Sequence, residues 1–136
     1  IAGQFEVGLY LSLDVPDTDL QVNLYEINQI GETKFIGSDR LRLRYRNGLD
    51  RPEFVKPGEV FLCKFDTPFI TALEAGKGSR LLLSISSMNT PYIQKNYNSG
   101  KDVSLETQQD AKKAEISIHH SPTYKSYIKI PIGSKN

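Results

Sequence analysis

The sequence has few of the residues on which disulfides, metal sites and nucleophilic catalysis depend. It contains no Trp, one Met, one Cys and two His in 136 residues. The single cysteine, Cys63, excludes an internal disulfide and any zinc site built from several cysteines. His119 and His120 are adjacent, and adjacent residues of a strand point to opposite faces, so the two cannot hold one ion together.

Neither sign of charge dominates, and long apolar runs are missing. Lys and Arg total 17 against 16 for Asp and Glu, which gives a formal net charge of +1. This balance gives no general attraction to nucleic acid or to an anionic membrane surface. No apolar run is long enough to span a bilayer and no signal-peptide pattern opens the chain, so we expect a soluble segment and leave its compartment open.

What the sequence does contain is a series of seven short runs in which apolar and polar residues alternate. The first is Phe5 to Leu13, and this alternation is typical of a half-buried strand. The other runs are 20–28, 39–48, 58–66, 79–88, 114–120 and 126–132. Residues 89–113 break the pattern as a long excursion, with the propensity for a turn or two of helix only in "ETQQDAKK". The series predicts an all-β sandwich with a Greek-key or jelly-roll crossover.

The length and the early start of this pattern bear on domain organisation. A chain of 136 residues suits a single domain, residues 1–136, built around one core. The alternation begins within a few residues of Ile1, which favours a domain excised from a larger protein.

The sequence shows no residue set for hydrolytic chemistry. No serine lies in a Gly-x-Ser-x-Gly elbow, and Cys63 falls on the apolar side of its run, where a buried structural thiol is expected. His120 also falls on the apolar side and is predicted at the edge of the core, whereas His119 points outward and is available to a site completed by another domain. We therefore predict no catalytic residue, no metal and no cofactor.

Four arginines form the strongest local charge feature: Arg40, Arg42, Arg44 and Arg46. Their spacing predicts one row along one face of one strand, with Leu41, Leu43 and Tyr45 facing the core. Neutralisation by cross-strand carboxylates is the favoured interpretation, and ligand binding and an interface with another domain stay open. Nucleic-acid binding is the weakest interpretation, because no aromatics are interleaved on that face and the net charge is near zero.

The segment "DVPDTDL" holds three carboxylates, Asp14, Asp17 and Asp19. It lacks the glycine and the terminal Glu of the helical calcium loop, although turns of β-sandwiches can bind calcium. A tight turn is favoured, in which Pro16 fixes φ and Asp17 or Asp19 accepts hydrogen bonds from turn amides or from the arginines.

Five segments of the chain resemble one known family. They are "VGLYLSLDVPDTDLQVNLYEI", "RLRLRYR", "KPGEV", "GKGSRLLLSISSMNTPYIQKNYNSG" and "HHSPTYKSYIKIPI". In this order they are similar to the C-terminal domain of X-Pro dipeptidyl-peptidase and cocaine-esterase type hydrolases.

The resemblance implies a jelly-roll β-sandwich of the galactose-binding-like type, attached to a parent that cleaves amides or esters with a Ser-Asp-His triad carried upstream. The implied partners are the catalytic α/β-hydrolase domain and the cap domain of the same parent chain, and a homo-oligomer of the parent is compatible with it. In such a parent this segment is non-catalytic and shapes the active-site cleft.

Two hypotheses about individual residues follow. The first is that Asp17 or Asp19 pairs with Arg42, Arg44 or Arg46 within the sandwich or at its edge. Together with Arg40, these residues are also the candidates for a domain interface. The second concerns residues for a cleft or a ligand, namely Tyr92, Asn96, Tyr97, Asn98 and His119. A carbohydrate-binding module is the alternative function, with Tyr92 and Tyr97 stacking on sugar rings in the absence of Trp.

Overall fold

The computed structural model describes residues 1–66, 70–88 and 90–133. Within these ranges the chain forms nine strands: β1 (Ala2–Gly3), β2 (Glu6–Leu13), β3 (Asp19–Ile27), β4 (Thr33–Arg42), β5 (Phe61–Asp66), β6 (Thr71–Ala72), β7 (Arg80–Ser87), β8 (Ile116–His119) and β9 (Tyr127–Lys129). Single turns of 3₁₀ helix span Leu43–Tyr45 and Gln108–Asp110. No helix in the described ranges is long and apolar enough to cross a membrane.

Two antiparallel sheets form the sandwich. In the first, β2 pairs with β5 on one side and with β8 and β9 on the other. In the second, β3 lies between β4 and β7. The short strands β1 and β6 pair separately. The all-β sandwich predicted from the alternating runs is therefore confirmed.

The central strands β2 and β3 supply most of the core. Leu11 on β2 and Val22 and Leu24 on β3 are fully buried, as are Cys63 and Phe65 on β5. Burial of each large apolar side chain contributes roughly 1.5–3 kcal/mol, which makes this contact between the sheets the main source of stability.

One lateral side of the sandwich is where β4 lies against β5. Asp39 of β4 accepts a hydrogen bond from the backbone N–H of Asp66 at the end of β5, and burial raises the pKa of Asp39. Because β4 and β5 share this side, β7 and the β8–β9 pair lie along the opposite side.

Strands β8 and β9 continue one line along β2. Residues 116–119 pair with 13–10 and residues 127–129 with 8–6, so the intervening turn projects out of a single interrupted strand. The Ser126 hydroxyl closes the gap, since it accepts from the Tyr10 N–H at 2.9 Å and donates to the His119 carbonyl at 2.7 Å. The prediction that His120 lies at the core edge is wrong: the strand ends at His119, so the alternation stops and His120 is exposed.

Strand β4 differs most from its prediction. The alternating run began at Asp39 and continued to Gly48, but the strand runs from Thr33 to Arg42. Beyond Arg42 the Leu43 N–H donates to the Thr18 carbonyl and the Arg44 N–H to the Asp17 carboxylate, 3.0 and 2.8 Å away. The carboxylate replaces a strand partner, so the backbone turns into a 3₁₀ helix.

We expect Gly8→Ala to lower the free energy of unfolding, although alanine costs less backbone entropy than glycine in a strand. A methyl group on Gly8 would lie 2.4 Å from a ring carbon of Tyr127, whose hydroxyl donates to Glu6 at 2.5 Å. Forced displacement of the ring should cost about 1–3 kcal/mol by urea unfolding. In a Tyr127→Ala background the same substitution should cost much less, and an equal cost in both backgrounds would contradict this packing.

Candidate functional site

Five polar side chains are joined by hydrogen bonds into one cluster, called here the Asp–Arg cluster: Asp17, Asp19, Arg42, Arg44 and Asn96. It joins the turn after β2, the end of β4 and the long connection between β7 and β8. Each of these three segments contributes side chains, so the cluster forms only in the folded chain.

Asp17 lies at its centre and is fully buried. One carboxylate oxygen accepts the backbone N–H of Arg44 at 2.8 Å, and the other accepts Nε of the same residue at 2.7 Å. The Arg44 side chain is only 7% exposed, and its Nη2 donates onward to the carbonyl of Lys101. Both charges are thus removed from water but hydrogen-bonded, the condition that makes a buried ion pair tolerable.

Asp19 and Arg42 form the second pair, directly opposite each other on β3 and β4. Nε and Nη2 of Arg42 each donate to a different oxygen of Asp19 at 2.9 Å, a bidentate geometry that favours arginine over lysine. The hydrogen bond to Asp19 raises the pKa of Arg42, so this arginine stays charged. Arg42 is 22% exposed, which makes this pair the more solvated of the two.

Asn96 connects both pairs. Its Nδ2 donates to Asp17 at 2.6 Å and to Asp19 at 2.9 Å, while its Oδ1 accepts the backbone N–H of Asn98 at 2.8 Å. Asn98 adopts a left-handed conformation with φ of 64°. This conformation suits asparagine better than most residues and returns the chain toward the cluster.

Further hydrogen bonds hold the connection around Asn96. The Glu106 carboxylate accepts the N–H groups of Tyr97 and Ser99 at 2.9 and 3.1 Å. Burial acts to raise the pKa of Glu106, but its hydrogen bonds from Ser99 and Tyr97 outweigh this and lower it. Arg42 and Arg44 donate to carbonyls of the same connection, at Gln94 and Lys101. The long connection is therefore fixed to the sandwich by charged side chains.

The four arginines do not form the single row that their spacing predicted. Arg40 is exposed on β4 and Arg42 ends that strand, whereas Arg44 lies in the 3₁₀ turn with its guanidinium 5.0 Å from the centre of the Phe54 ring. Arg46 lies over Phe61 and donates to the carbonyl of Leu43. The turn after Arg42 rotates the last two side chains away from the face of the strand.

The three aspartates of the turn do not converge on one point. Asp14 is exposed and accepts the N–H of Glu115 at 2.7 Å, at the start of the segment that leads into β8. Asp17 and Asp19 have their oxygens occupied by Arg44, Arg42 and Asn96. Among the described residues no group of three His, Cys, Asp or Glu side chains could hold a metal ion.

The residues predicted for a cleft or a ligand lie in different environments. Asn96 is buried in the cluster, whereas Tyr92 is 94% exposed in the long connection. Tyr97 is half-buried beneath Lys95, whose Nζ lies 5.1 Å from the ring centre. His119 lies on β8, where Nε2 is 2.8 Å from the Ser12 hydroxyl and the ring is 5.6 Å from that of Tyr124. Asn89, where the predicted excursion begins, lies outside the described residues.

Cys63 is unsuited to nucleophilic chemistry. Its side chain is fully buried, and this burial raises the pKa of the thiol to about 12. The thiolate is the reactive form of cysteine, and at neutral pH almost none is present.

Sequence reasoning identified the aspartates and arginines but not the atoms that join them. The sequence predicts Asn96 as a loop ligand. The segment "NYNSG" nevertheless carries a signal for its role, because an asparagine two residues before a left-handed position makes the bond seen between Asn96 and Asn98. Glu106 and Glu53, which also hold turns of the chain, stood in no recognisable pattern.

The structure is a β-sandwich domain in which the charged groups of the Asp–Arg cluster bond to one another. The chain belongs to the family of X-Pro dipeptidyl-peptidase C-terminal non-catalytic domains, whose model matches residues 1–129. This confirms the resemblance noted in the sequence.

Longer proteins contain segments similar to this chain. The cocaine esterase of Rhodococcus sp. (strain MB1 Bresler) is 27% identical over 132 residues, which cover 97% of this chain and 23% of the esterase. An aminopeptidase from the marine sediment archaeon Thaumarchaeota archaeon shares the fold with a TM-score of 0.86 at 21% identity, over 98% of this chain and 23% of its own. An alpha-amino acid ester hydrolase matches with a TM-score of 0.79 at 22% identity, over 94% and 22%. The chain thus spans less than a quarter of each relative.

We expect Asp17→Ala to destabilise the domain more than Asp19→Ala. Loss of Asp17 leaves the buried Arg44 without its counter-charge, which should cost about 3–5 kcal/mol, whereas the more exposed Arg42 should make the loss of Asp19 cost about 1–3 kcal/mol. Asp14→Ala is the matched control in the same turn and should cost about 1 kcal/mol or less. Urea unfolding measures all three, and a Tm of the unmodified domain that rises with calcium and falls with EDTA would contradict a purely ion-paired cluster.

We expect Asn96→Ala to cost about 1–3 kcal/mol, because two carboxylates lose a buried donor. Asn96→Asp should be worse at neutral pH, since it places a third carboxylate beside two others. Repulsion raises the pKa of that new carboxyl above its value in the unfolded chain, so its destabilising effect should shrink as the pH falls. Unfolding of both variants across acidic to neutral pH tests this, and a constant difference between them would refute it.

Proposed function

We propose that this chain is the non-catalytic C-terminal domain of a larger serine hydrolase of the dipeptidyl-peptidase or acyl-esterase type. In this proposal the domain packs against the catalytic α/β-hydrolase domain and helps to shape its active-site cleft. The observation that carries the proposal is the match of nearly the whole chain, 97%, to only 23% of a cocaine esterase. A segment of this size that belongs to a non-catalytic family acts through the rest of its parent.

The chemistry of the described residues supports a role without catalysis. Arg42 and Arg44 are paired with aspartates inside the Asp–Arg cluster, and the thiol of Cys63 is protonated and buried. His119 is hydrogen-bonded to Ser12, and its ring lies tilted against that of Tyr124 on the sandwich itself. These groups hold the domain together and leave bond cleavage to the parent.

The long connection between β7 and β8 supports a role at the cleft. The Asp–Arg cluster fixes its middle at Asn96, while Tyr92 a few residues earlier is 94% exposed. An aromatic side chain held out from an anchored segment is suited to contact a substrate or a neighbouring domain at low entropic cost. We propose that Tyr92 lines the cleft of the parent enzyme.

The first test compares the 136-residue segment, the whole parent and the parent without the segment, using a chromogenic X-Pro amide and a short-chain aryl ester. We expect no turnover by the segment, turnover by the parent and a reduced kcat/KM after deletion. Turnover by the segment alone, abolished by a serine-directed inhibitor, would refute the proposal, as would unchanged kinetics and stability of the shortened parent.

A second test isolates the role of Tyr92 in the whole parent. Tyr92→Ala should lower kcat/KM by about threefold to tenfold, the loss expected for one apolar contact made near the transition state, while the Tm stays unchanged. Leu105→Ala is the control, since Leu105 is also exposed in the same connection and should leave the kinetics unaltered. Equal kcat/KM for both variants would show that Tyr92 lies outside the cleft.

A further inference from the structure

The two lateral sides of the sandwich are closed to different degrees. On the side of β4 and β5, Cys63 and Phe65 are fully buried and Ile36 is 8% exposed. On the side of β7, β8 and β9 the exposed fractions are much larger, at 45% for Leu81, 47% for Ile118 and 36% for Ile128. The sandwich is therefore sealed along one side and open along the other.

The register shows that these three side chains face the interior. Ile118 lies directly opposite Leu11, and Ile128 lies opposite Val7, both of which are fully buried. Residues directly opposite in an antiparallel pair point to the same face of the sheet.

The same argument applies on β7. Leu83 lies opposite the buried Leu24, and Leu81, two residues away on the same inner face, lies opposite the buried Glu26. Leu82 lies opposite Tyr25 and points outward. Leu81, Ile118 and Ile128 are thus core-facing positions of edge strands, left partly in water.

The long connection covers only one end of this open side. It leaves β7 at Ser87 and reaches β8 at Ile116, and Ile85 and Ile116 near these ends pack against the core. Leu81 lies at the far end of β7 and Ile128 lies in β9, both away from the crossover. Among the described residues, inward-facing apolar side chains therefore stay partly exposed beyond the crossover.

These inward-facing side chains differ from ordinary exposed apolar residues. Ile30, Leu49 and Leu105 are more exposed, but they lie singly in turns and connections, as is normal for soluble proteins. Core-facing apolar positions on edge strands are a different case, since such positions are normally buried, and exposed apolar surface of this kind marks an interaction site.

We propose that this open side, formed by Leu81, Ile118 and Ile128, is the surface by which the domain docks on the catalytic domain of its parent hydrolase. The inference rests on the proposed function and adds the face that makes the contact. The relatives carry more than three quarters of their length outside the matching segment. In a parent of similar length, the catalytic domain would be a partner joined to this domain in the same polypeptide chain. A tether raises the effective concentration to the millimolar range, so even a small apolar surface is sufficient for stable docking.

Cysteine accessibility in the whole parent tests the face directly. Leu81→Cys and Leu82→Cys form a matched pair: the two leucines are adjacent on β7 and expose 45% and 43% of their surface in this domain, but they point to opposite faces of the sheet. Ile118→Cys and Ser117→Cys form the corresponding pair on β8. Cys63 gives no background, because it is buried and its pKa is raised to about 12.

Each variant is treated with N-ethylmaleimide, and labelling is followed by peptide mass spectrometry. We expect the thiols at 81 and 118 to react at least about tenfold more slowly than those at 82 and 117, because a covered thiol reacts only when the interface opens. Unequal unfolding is controlled by the Tm of each variant. Equal rates within both pairs would overturn the proposal.

Other outcomes separate this inference from the function on which it rests. Protection at 82 and 117 with free reaction at 81 and 118 would show docking through the outer face, which refutes the proposed surface but keeps the accessory role. Protection at 81 that grows with protein concentration would identify a second copy of the chain as the cover and overturn the proposal. Equal reaction at all four positions, together with unchanged kinetics when the segment is deleted, would refute both.

Discussion

The buried ion pair between Asp17 and Arg44, with Asn96 as third partner, is the interaction on which the rest of the structure depends. A carboxylate without exposure to water must have every oxygen bonded, and here a backbone N–H, a guanidinium and an amide meet that requirement. The N–H and the guanidinium both belong to Arg44 and the amide belongs to Asn96, so the partners come from two other segments. Satisfying one charge thereby fixes the turn after β2, the bend after β4 and the connection that crosses the sandwich.

Such a pair contributes more to the choice of structure than to net stability. The cost of removing two charges from water offsets most of their attraction, yet loss of one partner leaves the other charge buried and is strongly destabilising. The arrangement therefore penalises alternative paths for the long connection. It can hold Tyr92 outward on an otherwise irregular segment, which an apolar cluster of the same size would do less specifically.

The pairing of charges within the domain is compatible with the proposed supporting role. The acidic and basic groups of the Asp–Arg cluster bond to each other, and apolar surface remains on the side between β7 and β8–β9. Among the described residues the single cysteine, Cys63, is buried with its pKa raised to about 12, so it is not an activated nucleophile. Membership of a non-catalytic family agrees with this distribution of chemistry.

The sequence predicts the parts of the fold in which local alternation and burial agree. Strands β2, β3 and β7 match their runs within one or two residues. In β2 and β3 the apolar positions of the run are buried against the core, so the local pattern and the tertiary structure agree. β4 was predicted too late, because "RLRLRYR" continues the alternation past Arg42 while a side-chain carboxylate ends the ladder there. The predicted burial of His120 is wrong for a similar reason, because the pairing of β8 with β2 ends at His119.

The role of Asn96 could not be predicted, since its partners lie 79 and 77 residues away in the chain. A pattern of neighbouring residues does not indicate contacts between residues so far apart in the chain. The aspartates and arginines stood out because charge in a strand-like pattern requires a partner, but the choice of partner depended on a bend that only tertiary hydrogen bonds produce.

The Asp17 carboxylate fixes the long connection, and hydrogen exchange of the backbone amides measures this most directly. Within that connection, the N–H groups of Tyr97 and Ser99 donate to the Glu106 carboxylate, and the N–H of Lys112 donates to the Tyr97 carbonyl. In Asp17→Asn, compared with the unmodified domain under conditions where both are folded, these amides should exchange much faster while those of the Leu11 and Val22 strands keep their protection. Unchanged protection of the three amides would show that the connection keeps its structure without the Asp17 carboxylate, which would contradict the role assigned to Asp17.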